Sequence, residues 1–94
     1  MSRFPTVALI GAPTDIGAGH RGAVMGPEAL RVAGIAEALR QRGVTVEDRG
    51  NLTGPMNPWL PPLNGYRHLP QVVEWNAAAM RAVEAELDAG NLPV

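Results

Sequence analysis

The chain has 94 residues, of which 46% are hydrophobic and 18% charged, with a net charge of −1 at pH 7 and no cysteine. The apolar content predicts one small folded domain and excludes a chain that is disordered by composition. The charge balance excludes the basic stripe of a nucleic-acid-binding protein, and no apolar run approaches the roughly 20 residues of a membrane span. We therefore expect no nucleic-acid or membrane partner. Because the chain has no cysteine and no signal-peptide pattern, we also expect a cytoplasmic protein.

The first half of the chain predicts a strand, a long loop and a helix. An apolar run over residues 6–11 shows no alternation, which is typical of a strand covered on both faces in a parallel sheet. Residues 11–26, the Gly-rich loop, contain five glycines and one proline and cannot form a regular element. A helix is predicted over about 27–42, because Pro27 suits its first turn and Gly43 suits its end. Its predicted apolar stripe consists of Ala29, Val32, Ala33, Ala36 and Leu39.

The second half predicts a strand, a second long loop, a longer helix and the start of a third strand at 92–94. The strand covers 44–48, and residues 49–68, the Pro-rich loop, contain four prolines. A loop of this length inside a compact domain is usually functional or contacts a partner. The helix covers about 69–89, and we expect Asn76 to be a buried amide on its apolar face. The apolar stripe of this helix consists of Leu69, Val72, Val73, Met80, Val83 and Leu87.

Two successive strand–helix–strand units predict a parallel α/β sheet, which these residues leave incomplete. Gly17–Gly22 has the Gly-x-Gly-x-x-Gly spacing of a dinucleotide-binding turn, in which the helix opens inside the motif. Pro27 instead places the helix start about four residues past the last glycine. A small nucleotide-binding module that uses Gly17–Gly22 is therefore an alternative rather than the main interpretation. A second alternative is a non-catalytic interaction subunit whose open sheet edge pairs with another chain.

Three polar residues of the Gly-rich loop are candidate site residues, because this loop leaves the carboxyl end of a strand, where open α/β sheets bind ligands. They are Asp15, His20 and Arg21. Arg21 suits either a bidentate bond to a carboxylate that fixes the loop or a contact with an anionic group of a substrate. The residues that we assign to the backbone shape of the loop are Gly11, Pro13, Gly22, Gly26 and Pro27.

Three stretches that together cover nearly the whole chain resemble the arginases and the wider ureohydrolase family. Val7–Ile35 has the strand, a Gly-Ala-Pro turn, a Gly-rich loop with Arg-Gly, and the Gly-Pro followed by Leu-Arg that opens the helix. Val46–Leu52 resembles the second strand of that family with its acidic-x-Gly ending, although Asn51 stands where many relatives have Asp. Asn57–Val94 is similar to proteobacterial arginases in particular.

The resemblance implies the amino-terminal part of a three-layer α/β/α fold on an eight-stranded parallel sheet. It also implies hydrolysis of L-arginine to ornithine and urea by a hydroxide that bridges two Mn²⁺ ions. The family holds these ions with two His and four Asp in Gly-Gly-Asp-His, Asp-x-His-x-Asp and Asp-x-Asp motifs, whereas this sequence contains none of the motifs and only three Asp and two His.

We therefore expect no catalytic residue, metal ligand or cofactor within these 94 residues. The chain alone is expected to be inactive and to self-associate or to pair with the rest of the domain. Asp15, His20 and Arg21 are expected on the rim of the complete substrate site, which would take L-arginine or a related guanidine.

Overall fold

A three-stranded parallel sheet in the order β2-β1-β3 forms the centre of the computed structural model, which describes residues 5–94. The strands are β1 (Val7–Gly11), β2 (Val46–Asn51) and β3 (Leu92–Pro93). Val7 lies opposite Val46 on one side and opposite Leu92 on the other. The predicted parallel α/β sheet is thus confirmed, and helical segments make the crossovers that parallel strands require.

Helices and one 3₁₀ turn connect the strands. They are the 3₁₀ turn Ala23–Met25, α1 (Gly26–Val32), α2 (Ile35–Gln41) and α3 (Leu69–Asp88). The predicted single helix over about 27–42 is wrong, because the chain breaks at Gly34, whose φ of 90° lies in the left-handed region. A left-handed residue ends the ladder of helical hydrogen bonds, and glycine adopts it without the strain that a Cβ brings. Helix α2 therefore starts from this glycine as a separate element.

The second strand starts two residues later than predicted and continues past its predicted end at Asp48. Leu9 pairs with Asp48 and Gly11 with Asn51, so β2 carries one residue more than β1 across this step. The extra residue makes a β-bulge, and Gly50 has the positive φ, 78°, that suits such a bulge. The bulge lets the pairing continue, and the Pro-rich loop therefore begins at residue 52 rather than at 49.

The hydrophobic core lies between the sheet and α2. Val7, Leu9 and Val46 are buried and form its centre. The partly buried residues packed against them are Ile35, Ala36, Leu39 and Val44. The residues of the predicted stripe that precede the break are exposed: Ala29, Val32 and Ala33. Since α1 and α2 are separate helices, the apolar positions predicted for one continuous helix do not all face the core.

Helix α3 buries a different face from the predicted one. Asn76, expected as a buried amide, is exposed, so that prediction is wrong. Trp75 and Glu86 are buried instead, because the Trp75 indole packs against Gly54 and the Glu86 carboxylate pairs with Arg49 of β2. Much of the predicted apolar stripe is exposed, namely Leu69, Val73, Met80, Val83 and Leu87.

Candidate functional site

Two long loops leave the sheet at the same edge, because β1 and β2 run parallel. The Gly-rich loop, predicted over residues 11–26, occupies residues 12–22 in the structure, because Gly11 belongs to β1 and residues 23–26 are helical. The Pro-rich loop follows β2 and occupies residues 52–68. Open α/β sheets place their ligand sites outside the carboxyl ends of the strands. This carboxyl edge is therefore the candidate site.

An arginine of α1 ties the carboxyl end of β2 to the helix. Arg31 Nε donates to Asp48 Oδ2 at 2.9 Å, and Arg31 Nη1 donates to Asn51 Oδ1 at 2.6 Å. Asp48 Oδ1 accepts Arg31 Nη2 at 3.2 Å and the backbone N–H of Gly50 at 2.8 Å. These bonds, first from Arg31 and then from Gly50, lower the pKa of Asp48 below its usual value, and the Asp48 carboxylate raises the pKa of Arg31. The forked pairing fixes orientation as well as distance.

Gly11 has no room for a side chain, because the strand ends lie close to α1. A Cβ at this position would meet Asn51 Oδ1, Pro27 Cβ at 3.0 Å and Arg31 Nη2 at 3.1 Å. Gly26 was also expected to serve the backbone shape of the loop, but its φ of −55° is helical, and nothing lies within 4 Å of a Cβ placed there. The structure therefore gives a steric reason for glycine at Gly11 and none at Gly26.

The Gly17–Gly22 motif does not reach the start of a helix. Gly22 has a φ of 133°, which favours glycine, and the 3₁₀ turn Ala23–Met25 separates it from α1. A dinucleotide-binding turn needs the helix to open within the motif, so that its N–H groups face the pyrophosphate. The geometry of the loop thus does not favour the nucleotide-binding alternative.

The two loops, with Trp75 of α3, line a pocket of about 410 Å³ at this edge, here called the carboxyl-edge pocket. Asp15 and Arg21, two of the three candidate site residues, line it from the Gly-rich loop. The third, His20, is exposed and lies outside the lining. Asn57 and Trp59 line the pocket from the Pro-rich loop. A carboxylate, a guanidinium, an amide and an indole therefore share one concave surface.

Asp15 is held in place by the Pro-rich loop. It is only 8% exposed, and Asn57 Nδ2 donates to both its Oδ1 and its backbone carbonyl at 3.1 Å. Asn57 Oδ1 in turn accepts the backbone N–H of Trp59 at 2.8 Å. A buried carboxylate with a hydrogen-bond partner has a fixed orientation, because leaving the bond unmade would cost free energy. Asp15 therefore has a defined position at the pocket.

Arg21 contacts an aromatic ring. Its Cζ lies 4.7 Å from the centroid of the Trp59 ring, which is a cation–π contact between the two loops. Trp59 has a φ of 53°, a left-handed conformation that is uncommon for a residue other than glycine. The bond from its N–H to Asn57 helps to hold that conformation.

His68 and Trp75 support this site, although neither was predicted from the sequence. The buried His68 joins Ile16 and Leu60 through its two ring nitrogens. Trp75 lines the pocket, and its Nε1 donates to the carbonyl of Pro55 at 2.9 Å. Trp75 lies three residues after an apolar position of α3, a helical spacing that could have indicated it. Nothing in the sequence pairs His68 with a loop 52 residues away.

Residues 5–94 contain no group of three or more His, Asp or Glu side chains that could hold a metal ion. Two of the polar side chains at the two loops have protein partners: Asp15 Oδ1 accepts from Asn57, and the ring nitrogens of His68 contact Ile16 and Leu60. Across the same described residues, no helix combines the length and the apolar character needed to cross a membrane.

The parallel sheet, its helical crossovers and the carboxyl-edge pocket define an α/β protein whose candidate ligand site lies at the carboxyl ends of its strands. More particularly, the chain belongs to the arginase family, whose profile matches residues 5–94. The resemblance found in the three sequence stretches is thereby confirmed.

Individual relatives agree with this assignment. The arginase of Brevibacillus brevis is 33% identical over 88 residues, which are 94% of this chain and 30% of that protein. The arginase of Agrobacterium fabrum is 32% identical over 94 residues, which are 99% of this chain and 29% of that protein. The native structure of arginase from Bacillus caldovelox superposes with a TM-score of 0.85 and 32% identity, covering 96% of this chain and 31% of that one. The chain thus spans about 30% of the length of the relatives it matches.

Proposed function

We propose that this chain is the amino-terminal part of the catalytic domain of an arginase-type ureohydrolase, which hydrolyses L-arginine or a related guanidine to release urea. The observation that carries the proposal is the family match over residues 5–94 together with a superposition that covers 96% of the chain. On this proposal the carboxyl-edge pocket is one wall of the substrate site, with Asp15 and Arg21 on its rim. The cytoplasmic location expected from the cysteine-free composition belongs to the same proposal.

The position of the loops supports this assignment of the pocket. Both leave the carboxyl edge of a parallel sheet, where side chains from several strand ends meet around a ligand. Asp15 and Arg21 belong to the segment that is tied down there, since Asn57 bonds to Asp15 and Trp59 stacks on Arg21. A site formed from tied loops holds polar groups in place without reordering them on binding. His20, in contrast, remains a rim candidate only by its place on the loop.

The residues that the structure describes do not fit the role of metal ligands. No suitable group of three donors exists within residues 5–94, and the Asp15 carboxylate and the His68 imidazole already have protein partners. The two Mn²⁺ ions that the family resemblance implies would need ligands from outside these residues. We accordingly assign the chain a role in shaping the site and no step of the metal-dependent chemistry.

A segment exchange tests this proposal. The segment of Bacillus caldovelox arginase that superposes on residues 5–94 is replaced by residues 5–94, and urea release from L-arginine is measured with Mn²⁺ present. We expect turnover by the exchanged enzyme, because the fold and the carboxyl-edge loops are matched. The controls are the same recipient with the segment deleted and the 94-residue chain alone, neither of which should release urea.

Two results would contradict the proposal. A folded, manganese-loaded exchanged enzyme with no urea release would show that these residues do not form a ureohydrolase substrate wall. Metal-dependent urea release by the 94-residue chain alone would show that the chemistry does not need residues from outside it.

A further inference from the structure

The buried side chain of His68 lies between the two carboxyl-edge loops. His68 is the residue from which α3 starts, with a left-handed φ of 53°, and it is 7% exposed. Its ring makes no capping bond to the helix. The imidazole instead reaches across to the Gly-rich loop and back to the Pro-rich loop, so that three segments meet at one ring.

The contacts of the ring select one tautomer. Nδ1 lies 2.9 Å from the carbonyl oxygen of Ile16, and Nε2 lies 3.0 Å from the backbone N–H of Leu60. A carbonyl accepts and an N–H donates, so the imidazole satisfies both when Nδ1 carries the proton and Nε2 is bare. The opposite tautomer would put two acceptors face to face at Ile16. The carbonyl of Leu60, 3.1 Å from Nε2, could accept a proton only from the opposite tautomer. That tautomer would satisfy this one carbonyl and leave both the Ile16 carbonyl and the Leu60 N–H without a partner on the ring, so the Nδ1–H tautomer satisfies more of the contacts.

We propose that His68 is a positioning residue: its imidazole, fixed as the Nδ1–H tautomer, locks the Gly-rich loop onto the Pro-rich loop and thereby sets the place of Asp15 in the carboxyl-edge pocket. Ile16 directly follows Asp15, so the bond to its carbonyl holds the backbone next to that carboxylate. Asn57 secures Asp15 from the other side. That the locked loop borders a substrate site depends on the proposed function, whereas the lock itself does not.

The tautomer gives a direct test, because the chain has only two histidines, His68 and His20. In chain labelled with ¹⁵N at histidine only, and at a pH where both rings are neutral, the spectrum contains two imidazoles. We expect His68 as a single Nδ1–H tautomer with a slowly exchanging ring proton. The exposed His20 is the internal reference and should show interconverting tautomers and a rapidly exchanging proton. A His20→Asn variant assigns the two signals.

Two substitutions separate the two contacts of the ring. His68→Asn places an amide N–H at the same distance along the side chain as Nδ1–H, so it keeps the donor for Ile16 and loses the acceptor for Leu60. His68→Phe keeps the ring shape and loses both. The exposed Asn76→Ala on the same helix is the matched control.

Amide hydrogen exchange reports each contact separately. The N–H of Ala18, bonded to the Asp15 carbonyl at 2.9 Å, reports the order of the Gly-rich loop, and the N–H of Leu60 reports the Nε2 contact. The N–H of Val7, bonded to the Thr45 carbonyl in the sheet, reports global opening. Relative to Val7, we expect Leu60 to exchange about tenfold faster in both variants. Ala18 should be about tenfold faster in His68→Phe and close to wild type in His68→Asn.

Several outcomes would overturn the proposal. In the unmutated chain these are an Nε2–H tautomer or an averaged His68 signal. In the variants, an equal increase in the exchange rates of all three amides would mean that His68 only stabilises the fold as a whole. If Ala18 exchanged as fast in His68→Asn as in His68→Phe, the bond from Nδ1–H to Ile16 would not be what holds the Gly-rich loop. None of these readouts involves arginine, so they are independent of the segment exchange that tests the proposed function.

Discussion

The contact between Gly54 and the Trp75 indole predicts that Gly54→Ala is destabilising. A Cβ at Gly54 would lie 2.6, 2.7 and 2.8 Å from three indole atoms, which is 0.6–0.8 Å inside the 3.4 Å limit of ordinary contact. The indole has little freedom to retreat, since it is buried and its Nε1 donates to the Pro55 carbonyl at 2.9 Å. Overpacking of this kind costs ~1–3 kcal/mol. The reduced chain entropy of the unfolded alanine variant offsets ~0.4–1 kcal/mol of that cost.

Gly26→Ala is the matched control, because its backbone is helical and nothing lies within 4 Å of the new methyl group. It should stabilise the chain by ~0.4–1 kcal/mol. The free energy of unfolding is measured from urea titrations followed by circular dichroism at one protein concentration. In a Trp75→Leu background the cost of Gly54→Ala should largely disappear. Equal stabilities for Gly54→Ala and Gly26→Ala would refute the packing of α3 against the Pro-rich loop.

Three further expectations follow from other contacts. Arg31 lowers the pKa of Asp48. The ionised Asp48 therefore stabilises the fold fully at any pH above its usual pKa of 3.8, and this stabilisation is lost as the pH falls through the lowered pKa. The urea midpoints of wild type and Arg31→Met should therefore converge with falling pH, and a constant gap would contradict the pairing. Arg49→Met should lower the free energy of unfolding by ~1–3 kcal/mol, since it leaves the buried Glu86 carboxylate unpaired. A change smaller than the error of the urea titration would contradict this expectation. The 94-residue chain should self-associate at micromolar concentration, because it exposes large apolar side chains on α1 and α3; light scattering that shows a monodisperse, sharply melting monomer would contradict this.

The sequence predicted those parts of the fold that depend on local pattern. The apolar run of β1 and the helical periodicity of α3 were sufficient to place these elements, and the strand–helix alternation predicted the parallel sheet. The break at Gly34 was not predicted, although a glycine in a helix interior costs ~1 kcal/mol and could have indicated it. The bulge at Gly50 depends on the pairing of β2 with β1, which no local pattern displays.

The candidate site divides in the same way. Position after a strand end selected Asp15 and Arg21, which line the carboxyl-edge pocket. Asn57 bonds to Asp15, 42 positions away, and His68 bonds to Ile16, 52 positions away, so no local sequence pattern indicated these two residues. Asn76 was misplaced because its helix turns the neighbouring Trp75 toward the loop instead. Side-chain roles that depend on long-range contacts therefore needed the structure.

The most direct test of the carboxyl-edge pocket as a substrate wall is the kinetics of Arg21→Ala in the segment-exchanged arginase. Arg21 borders the pocket and contacts Trp59, and it is not placed among metal ligands. Arg21→Ala removes either a charged hydrogen bond to substrate or the contact that anchors the rim. We expect a loss of ~1.5–3 kcal/mol of transition-state stabilisation, which is roughly a 10- to 150-fold decrease in kcat/KM for arginine. The account predicts this decrease at unchanged manganese content, with the exposed Asn76→Ala as the unaffected control. Unchanged kcat and KM in a folded Arg21→Ala enzyme would contradict it.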